Sequence, residues 1–407
     1  MTAATATTRA GPLAGVRVLE VGVFMAAPFA TMQLADLGAD VVKVESPDGG
    51  EPVRSTGPFV AGESSPFLRL NRGKRSVALD LKSGDGKAAF LALADSADVL
   101  VENLRPGAMR RLALGFDDLS ARNPRLVYAS ASGFGQDGPL ADRPGLDIMA
   151  QARGGLMSIT GPPGGAPAKV GVPIADLTCG LYVVIAVLAA LRERESSGQG
   201  QYVDVSLLES AVSLAVWEAG RFWATGEVGG PLGSAHQSQA PYQAVPTSDG
   251  WLTLGAITPK TWAGLCAVLG LDDLVDDPRF SRSTDRHDRR DELLPLIEER
   301  TRQHPTDELV QHLEAAGVPC APIATYDQVF TDEHLGARDF YWDAPHAAAG
   351  PVRQVGSPMR LSRTPPTRAD AGPRLGRHTR AVLLEAGLDD VRVDALLASG
   401  AAAEVRE

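Results

Sequence analysis

Through the first 135 residues, short β-branched and aliphatic runs alternate with amphipathic stretches. Val16–Gly22, Ala39–Glu45, Asp98–Glu102 and Leu126–Ser132 are bounded by Gly, Asp or Pro and predict buried parallel strands. Between them, residues 27–37 and 85–96 repeat apolar side chains at three- and four-residue spacing, which predicts helices, the second capped by Ser83 or Asp85. Strand and helix in strict alternation imply right-handed βαβ units. The fold class is therefore α/β, an open parallel sheet with helices on both faces.

Residues 139–175 break this rhythm with Gly154-Gly155 and Gly161-Pro-Pro-Gly-Gly165, and read as loops or a hairpin. An apolar helix is predicted at 177–194, a turn and strand at 198–206, and another helix at 207–225. The apolar stretch Leu177–Leu191 is about 15 residues, shorter than the roughly 20 a bilayer needs; a buried core helix is expected. Pro231 to Pro246 reads as a linker, followed by a strand at 250–255 and helices at 259–269, 289–302 and 306–316. The expected organisation is a large domain beginning at 10–224, a smaller α+β domain at 225–335, and a return to the large domain over 336–407.

Composition narrows the function. The 407 residues carry 43 Gly and 29 Pro, 44% hydrophobic and 22% charged residues, and a net charge of −11, which suits a loop-rich soluble enzyme and disfavours nucleic-acid binding. Residues 1–125 hold 15 Lys+Arg against 14 Asp+Glu, so the acidity lies in the remainder. Cys179, Cys266 and Cys320 are far apart, without the spacing of a zinc site or disulfide framework; a cytoplasmic setting is expected. Met1–Arg9 lacks a positively charged segment leading into an apolar one, so no signal peptide is expected there.

Common motifs fail their context tests. Gly133-Phe-Gly135-Gln-Asp-Gly138 matches the dinucleotide fingerprint, but Pro139 and Pro144 follow where a helix should open. Gly73-Lys74 lacks the upstream Gly of a P-loop, and Ser132 lacks the first Gly of a nucleophile elbow. All seven histidines, from His236 to His378, lie beyond the alternating segment and none shows HxH, HxxxH or HExxH spacing, so no metal is expected.

Two basic clusters stand near candidate strand ends: Arg69, Arg72, Lys74, Arg75 and Lys82, then Arg105, Arg110 and Arg111. Ligands of open α/β sheets sit beyond the carboxyl ends of strands, so these residues are candidates to hold phosphates. Asp176 opens the apolar helix. There it suits an N-cap in the first place; a carboxylate nucleophile toward activated acyl groups is the second reading.

Taken together, these segments resemble the class III (family III) CoA-transferases, which are related to the 2-methylacyl-CoA racemases. The resemblance runs from about residue 12 to 385 and is carried by Gly11–Glu20, Leu37–Glu45, Asn71–Ser76, Leu79–Lys82, Val101-Glu-Asn-Leu-Arg-Pro-Gly107, Ser132–Pro139, Ala175-Asp176 and Ser197-Gly-Gln-Gly-Gln201. Pro241-Tyr242, Asp249-Gly250 and Gly317-Val-Pro319 extend it. It implies a Rossmann-like large domain, a small domain and an interlocked homodimer. It further implies that CoA or acyl-CoA binds as substrate at Leu79, Lys82, Asn103, Leu104, Arg105 and Arg111, and that Asp176 is catalytic. Two positions depart from the pattern: Ser46 replaces a cation after the second strand, and Met25 replaces a polar residue in the first βα turn, leaving Lys43 or Arg54 as substitutes.

The implied activity is transfer of CoA from an acyl-CoA donor to a carboxylic acid through aspartyl anhydride and aspartyl-CoA thioester intermediates, with Gly154-Gly155 and Gly161–Gly165 as candidate oxyanion donors. A racemase or epimerase is the alternative enzyme, but Leu146 stands where racemases carry His, and Thr258 where they carry an acid. A catalytically silent CoA-binding protein is the alternative of another class. Phe134, Met149, Trp217 and Trp223 are candidate pocket walls.

Overall fold

The computed structural model describes residues 11–405; Met1–Arg9, read above for a signal peptide, lies outside them. The chain divides into two compact units, one comprising residues up to Leu156, Lys169–Trp223 and from His334 onward, the other Met157–Ala168 and Ala224–Glu333.

The first unit is built on six parallel strands, β1 (Arg17–Val21), β2 (Asp40–Glu45), β3 (Lys74–Leu79), β4 (Val99–Glu102), β5 (Val127–Ser132) and β6 (Tyr202–Ser206). They run in the order 3-2-1-4-5-6, and the two-residue strand Ala402–Ala403 adds antiparallel to the β3 edge. This is the doubly wound order whose switch point lies between β1 and β4. Neighbouring residues along each strand feed opposite layers, as the two-residue period requires. Val18, Val41, Val99 and Val127 pack with α1 (Ala26–Asp36) and the helix Ile174–Ser197. Leu19, Val42, Leu100 and Tyr128 pack with α2 (Gly84–Asp95) and the C-terminal helices Thr379–Glu385 and Asp390–Ser399. Ser83 caps α2, its hydroxyl accepting from the Gly86 N–H at 3.0 Å.

The Gly/Pro-rich stretch contains α3 (Asp147–Arg153) and a single turn at Leu156–Ile159 rather than only loops. α4 (Ile174–Ser197) is longer than the expected helix and is apolar and long enough to cross a membrane by length and composition. It is only half a core helix. Cys179, Val183 and Val187 are buried against the sheet, whereas Leu181, Tyr182 and Ile185 are exposed. The predicted helix 207–225 is two, α5 (Leu207–Ser213) and Val216–Thr225. No helix opens after Gly138, so the GxGxxG match is a turn and not a dinucleotide site.

The second unit has a three-stranded antiparallel sheet in which Trp251–Gly255 lies between Tyr242–Pro246 and Cys320–Pro322. Part of the expected linker is therefore a strand: Val245 is buried and pairs with Leu252, although Pro241 and Pro246 bracket it and suggest a loop. Helices Pro259–Leu269, Arg290–Thr301 and Thr306–Ala315 cover the sheet with Trp262, Leu265, Ile297 and Leu313. Arg286 is fully buried here, its guanidinium donating to the carbonyls of Ala240, Phe280, Ala256 and Ile257.

Candidate active site

The switch point is closed by a side chain. Asn103, directly after β4, accepts from the Val23 N–H at 2.8 Å and donates back to the Val23 carbonyl at 2.8 Å, tying the β4 end to the loop after β1. That loop is held from below as well. Phe24 adopts a left-handed conformation, φ 57°, and its N–H donates to the Glu51 carboxylate at 3.0 Å. Glu51 belongs to a buried ionic cluster. Lys43 pairs with Glu20 at 2.7 Å and Glu51 at 3.2 Å, and Lys74 pairs with Glu20 at 2.8 Å. Burial drives the Glu20 carboxyl upward, but the two ammonium groups overcome it and hold the pKa at about 2.

Above this loop lies a cavity of about 700 Å³, walled by Phe24, Met25, Leu146 and Ile148 and reached by Asn103, Gly133, Gly145, Lys169 and Asp176. Its size suits a small-molecule site. A cavity of about 790 Å³ lies at the amino end of β3 around Arg374 and His378, on the side of the sheet where doubly wound folds do not bind ligands.

Asp176 is the third residue of α4 and does not cap it: Pro173 occupies the N-cap position. The capping carboxylate is Asp147, at the start of α3, whose Oδ1 accepts from the N–H groups of Ala175 at 2.8 Å and Asp176 at 3.3 Å. Its Oδ2 accepts from the buried Gln151 amide at 2.6 Å, and Gln151 in turn accepts from the Val170 N–H at 2.9 Å. One side-chain chain thus ties α3, α4 and the 169–170 segment together. The half-buried Asp176 carboxyl has no hydrogen-bond donor among the described residues. Burial first, and the neighbouring Asp147 charge second, raise its pKa from 3.8 to about 7.

Leu79, Lys82 and Leu104 meet in a smaller cleft of about 260 Å³ beyond the carboxyl ends of β1, β2 and β3, which Ser46 also lines. Asn103 lines the Asp176 cavity, and Val23 lines both spaces. Arg105 and Arg111 are exposed on the segment after β4, outside both linings. Lys82, Arg105, Arg110 and Arg111 form no ion pair among the described residues.

The other basic residues are consumed by the fold. Arg72 pairs with Asp36, Arg75 with Asp40 and Glu385, and Arg69 bonds Ser65. Neither Lys43 nor Arg54 substitutes for the missing cation at Ser46: Lys43 is buried on Glu20, and Arg54 grips Glu45 through two bonds of 2.7 Å. Gly154 and Gly155 donate to carbonyls of the preceding helix, and 161–165 belong to the second unit, so neither run lines the Asp176 cavity. Its glycines are Gly133 and Gly145. Met149, Trp217 and Trp223 are exposed and, like Phe134, do not wall it.

The chain is similar to known proteins over most of its length. The description CoA-transferase family III matches residues 13–379. The chain is 37% identical to the mouse succinyl-CoA:glutarate CoA-transferase over 96% of its own length and 90% of that protein. It is 36% identical to the succinate–glutarate CoA-transferase of Agrobacterium fabrum, covering 93% and 96%. The crystal structure of a CaiB/BaiF family protein from Brucella suis superposes with a TM-score of 0.85 at 36% identity, covering 93% of this chain and 100% of that one. The protein is an enzyme of the α/β class, and the chain belongs to CoA-transferase family III.

Proposed function

We propose that the protein transfers CoA from an acyl-CoA to a free carboxylic acid with Asp176 as the nucleophile. The observation that carries this is the Asp176 carboxyl itself: half-buried on a cavity wall, without a hydrogen-bond donor, and poised near neutrality. In the ionised form it attacks the donor thioester carbonyl. The carbon–sulfur bond breaks, CoA leaves as thiolate, and a mixed aspartyl anhydride remains. The thiolate attacks the aspartyl carbonyl, releasing the donor acid and leaving an aspartyl-CoA thioester. The acceptor carboxylate repeats these steps in reverse, leaving with CoA and restoring Asp176.

Acyl-CoA is the substrate, with Leu79, Lys82 and Leu104 around one part of CoA, Asn103 where the two spaces adjoin, and Arg105 and Arg111 as exposed partners for its phosphates. No step requires a metal. Leu146 offers no exchangeable proton, which weighs against racemisation. The exposed apolar side of α4, together with Val216–Thr225, which buries no residue, supports a homodimer. Free Cys179, Cys266 and Cys320 suit the cytoplasm.

The test is intact-protein mass spectrometry after incubation with succinyl-CoA or acetyl-CoA and brief hydroxylamine treatment. A labile adduct on the wild type and none on Asp176→Ala is expected; equal labelling of both would exclude Asp176 as the nucleophile.

A further inference from the structure

Five carboxylates are buried among the described residues: Glu20, Asp36, Glu45, Glu51 and Glu102. Each of the first four pairs with a cation, Glu20 and Glu51 with Lys43, Asp36 with Arg72 and Glu45 with Arg54. Glu102 has no such partner among the described residues. Burial, working against two hydrogen bonds, raises its pKa from 4.5 to about 7. A carboxyl group placed there without a counter-charge costs stability, and no step of the transfer uses it.

Both of its oxygens are committed. Oε2 accepts from the Leu104 N–H at 2.8 Å and Oε1 from the Ser130 hydroxyl at 2.5 Å. Ser130 is braced in turn by the Tyr202 hydroxyl, which donates to it at 3.0 Å. Along β4, Leu100 faces one layer and Val99 and Val101 the other, so the two-residue period sends Glu102 and Asn103 to opposite sides of the sheet. The β4 end is thus pinned from both sides, by Asn103 on Val23 and by Glu102 on the Leu104 N–H.

Beyond that point the chain makes an excursion that carries Leu104, Arg105 and Arg111 before it returns as β5. Its far side is anchored on the same aromatic residues. Phe116 packs against Tyr202 with ring centroids 5.5 Å apart and edge-on to Tyr128 at 6.2 Å, and the Tyr128 hydroxyl donates to the Leu114 carbonyl at 3.4 Å. Glu102 fixes the near side. It lines neither the 260 Å³ cleft nor the 700 Å³ cavity, whereas Leu104 walls the first and Asn103 the second.

We propose that Glu102 is a positioning residue for CoA, which through the Leu104 N–H sets the turn that places Leu104 on the cleft wall and Arg105 beyond the β4 end. This rests on the CoA-transfer reading of the adjoining spaces. The role is one of reach, because the Leu104 N–H needs an acceptor oxygen at the length of a Glu side chain.

The test separates binding from turnover. Calorimetric titration gives the CoA dissociation constant, and the rate of adduct formation against succinyl-CoA concentration gives a half-saturating concentration and a limiting rate. Glu102→Leu strands the Leu104 N–H and should raise the dissociation constant and the half-saturating concentration about 10-fold, the worth of a hydrogen bond to a charged group, with the limiting rate little changed. Glu102→Asp keeps the charge but loses the reach, and should follow Glu102→Leu. Glu102→Gln keeps the reach, its amide oxygen accepting from Leu104 and its NH2 donating to Ser130, and should stay within about 3-fold of the wild type. An unchanged CoA dissociation constant in Glu102→Leu and Glu102→Asp, whatever their Tm, or a Glu102→Gln as weak as Glu102→Asp, would overturn the assignment while leaving CoA transfer intact. Should Glu102→Leu fail to fold, the Asp and Gln pair decides. A wild type that neither binds CoA nor forms an adduct would instead remove the CoA-transfer reading, and this proposal with it.

Discussion

Asp147 accepts a hydrogen bond from the backbone N–H of Asp176 at 3.3 Å and so fixes a second negative charge beside the Asp176 carboxyl. The helix cap and the charge that tunes the proposed nucleophile are one residue. Asp147→Asn keeps an oxygen to accept the N–H bonds but removes the charge, which is the second cause of the raised Asp176 pKa. Its expected effect is a downward shift in the pH at which half the Asp176 carboxyl is reactive, read from the rate of adduct formation against pH. An unchanged midpoint would mean that burial alone sets it.

The same raised pKa carries a stability consequence. A carboxyl that titrates at about 7 in the folded chain and near its ordinary 3.8 unfolded holds its proton more tightly when folded. Its contribution is complete below pH 3.8 and is lost as pH rises through 7. Asp176→Asn escapes that loss. Wild type and variant should melt together at pH 3.5, and the variant should be more stable at pH 8 by about 1–3 kcal/mol after solvent screening. Parallel calorimetric melts across this range decide it.

Gly133 and Gly145 meet backbone to backbone: a Cβ on Gly145 would lie 2.5 Å from the Gly133 Cα. No side chain can yield there, so Gly145→Ala must displace the segment that leads two residues later to Asp147. An ångström of displacement at a reacting centre costs about 10²-fold in rate. We expect a kcat loss of that order with the CoA dissociation constant little changed, measured by steady-state kinetics alongside calorimetric titration of CoA.

Parts of this site are legible in the sequence and parts are not, for physical reasons. The β-branched runs at β1, β2, β4 and β5 declare themselves, but β3 does not: it begins Lys74-Arg75-Ser76, and only the folded chain supplies Glu20, Asp40 and Glu385 to neutralise those charges. A cation cluster therefore reads as a phosphate site when it is a buried strand. Asp147 is silent for a similar reason. Its partner N–H lies 28 residues away, and its one local signal is its place beside Leu146 in a Gly-Leu-Asp run. The glycines that line the cavity, Gly133 and Gly145, are less conspicuous than the paired glycines that do not.

The buried cluster under the β1 loop should be the fold's most sensitive ionic feature. Lys43→Met leaves Glu20 with Lys74 and Thr31 but without its 2.7 Å partner, and takes the cation from Glu51, which keeps only the Asn71 amide and the Phe24 N–H it holds. Breaking one side of a buried pair costs about 3–5 kcal/mol. The acid limb also moves. Glu20 titrates at about 2 when folded against 4.5 unfolded, so its stabilisation is present above pH 4.5 and is lost as pH falls toward 2. With one ammonium removed, acid unfolding should begin at a higher pH, which circular dichroism during acid titration will report.

The cations available for CoA follow from which ones the fold has not consumed. Lys82 lines the cleft at the ends of β1 to β3, and Arg105 and Arg111 are exposed beyond β4, all without ion-pair partners among the described residues. Exposed cations lose part of their strength to solvent, so each Ala substitution should weaken CoA about 3- to 10-fold, with Lys82→Ala the largest because its neighbours Leu79 and Leu104 shield the contact. Titration with CoA and with dephospho-CoA separates the roles. A residue that holds the 3′-phosphate loses its effect with dephospho-CoA, whereas one on the pyrophosphate keeps it. Arg54→Ala should behave differently from all three: its guanidinium grips Glu45, so its loss should lower Tm and leave the ratio of the two affinities unchanged.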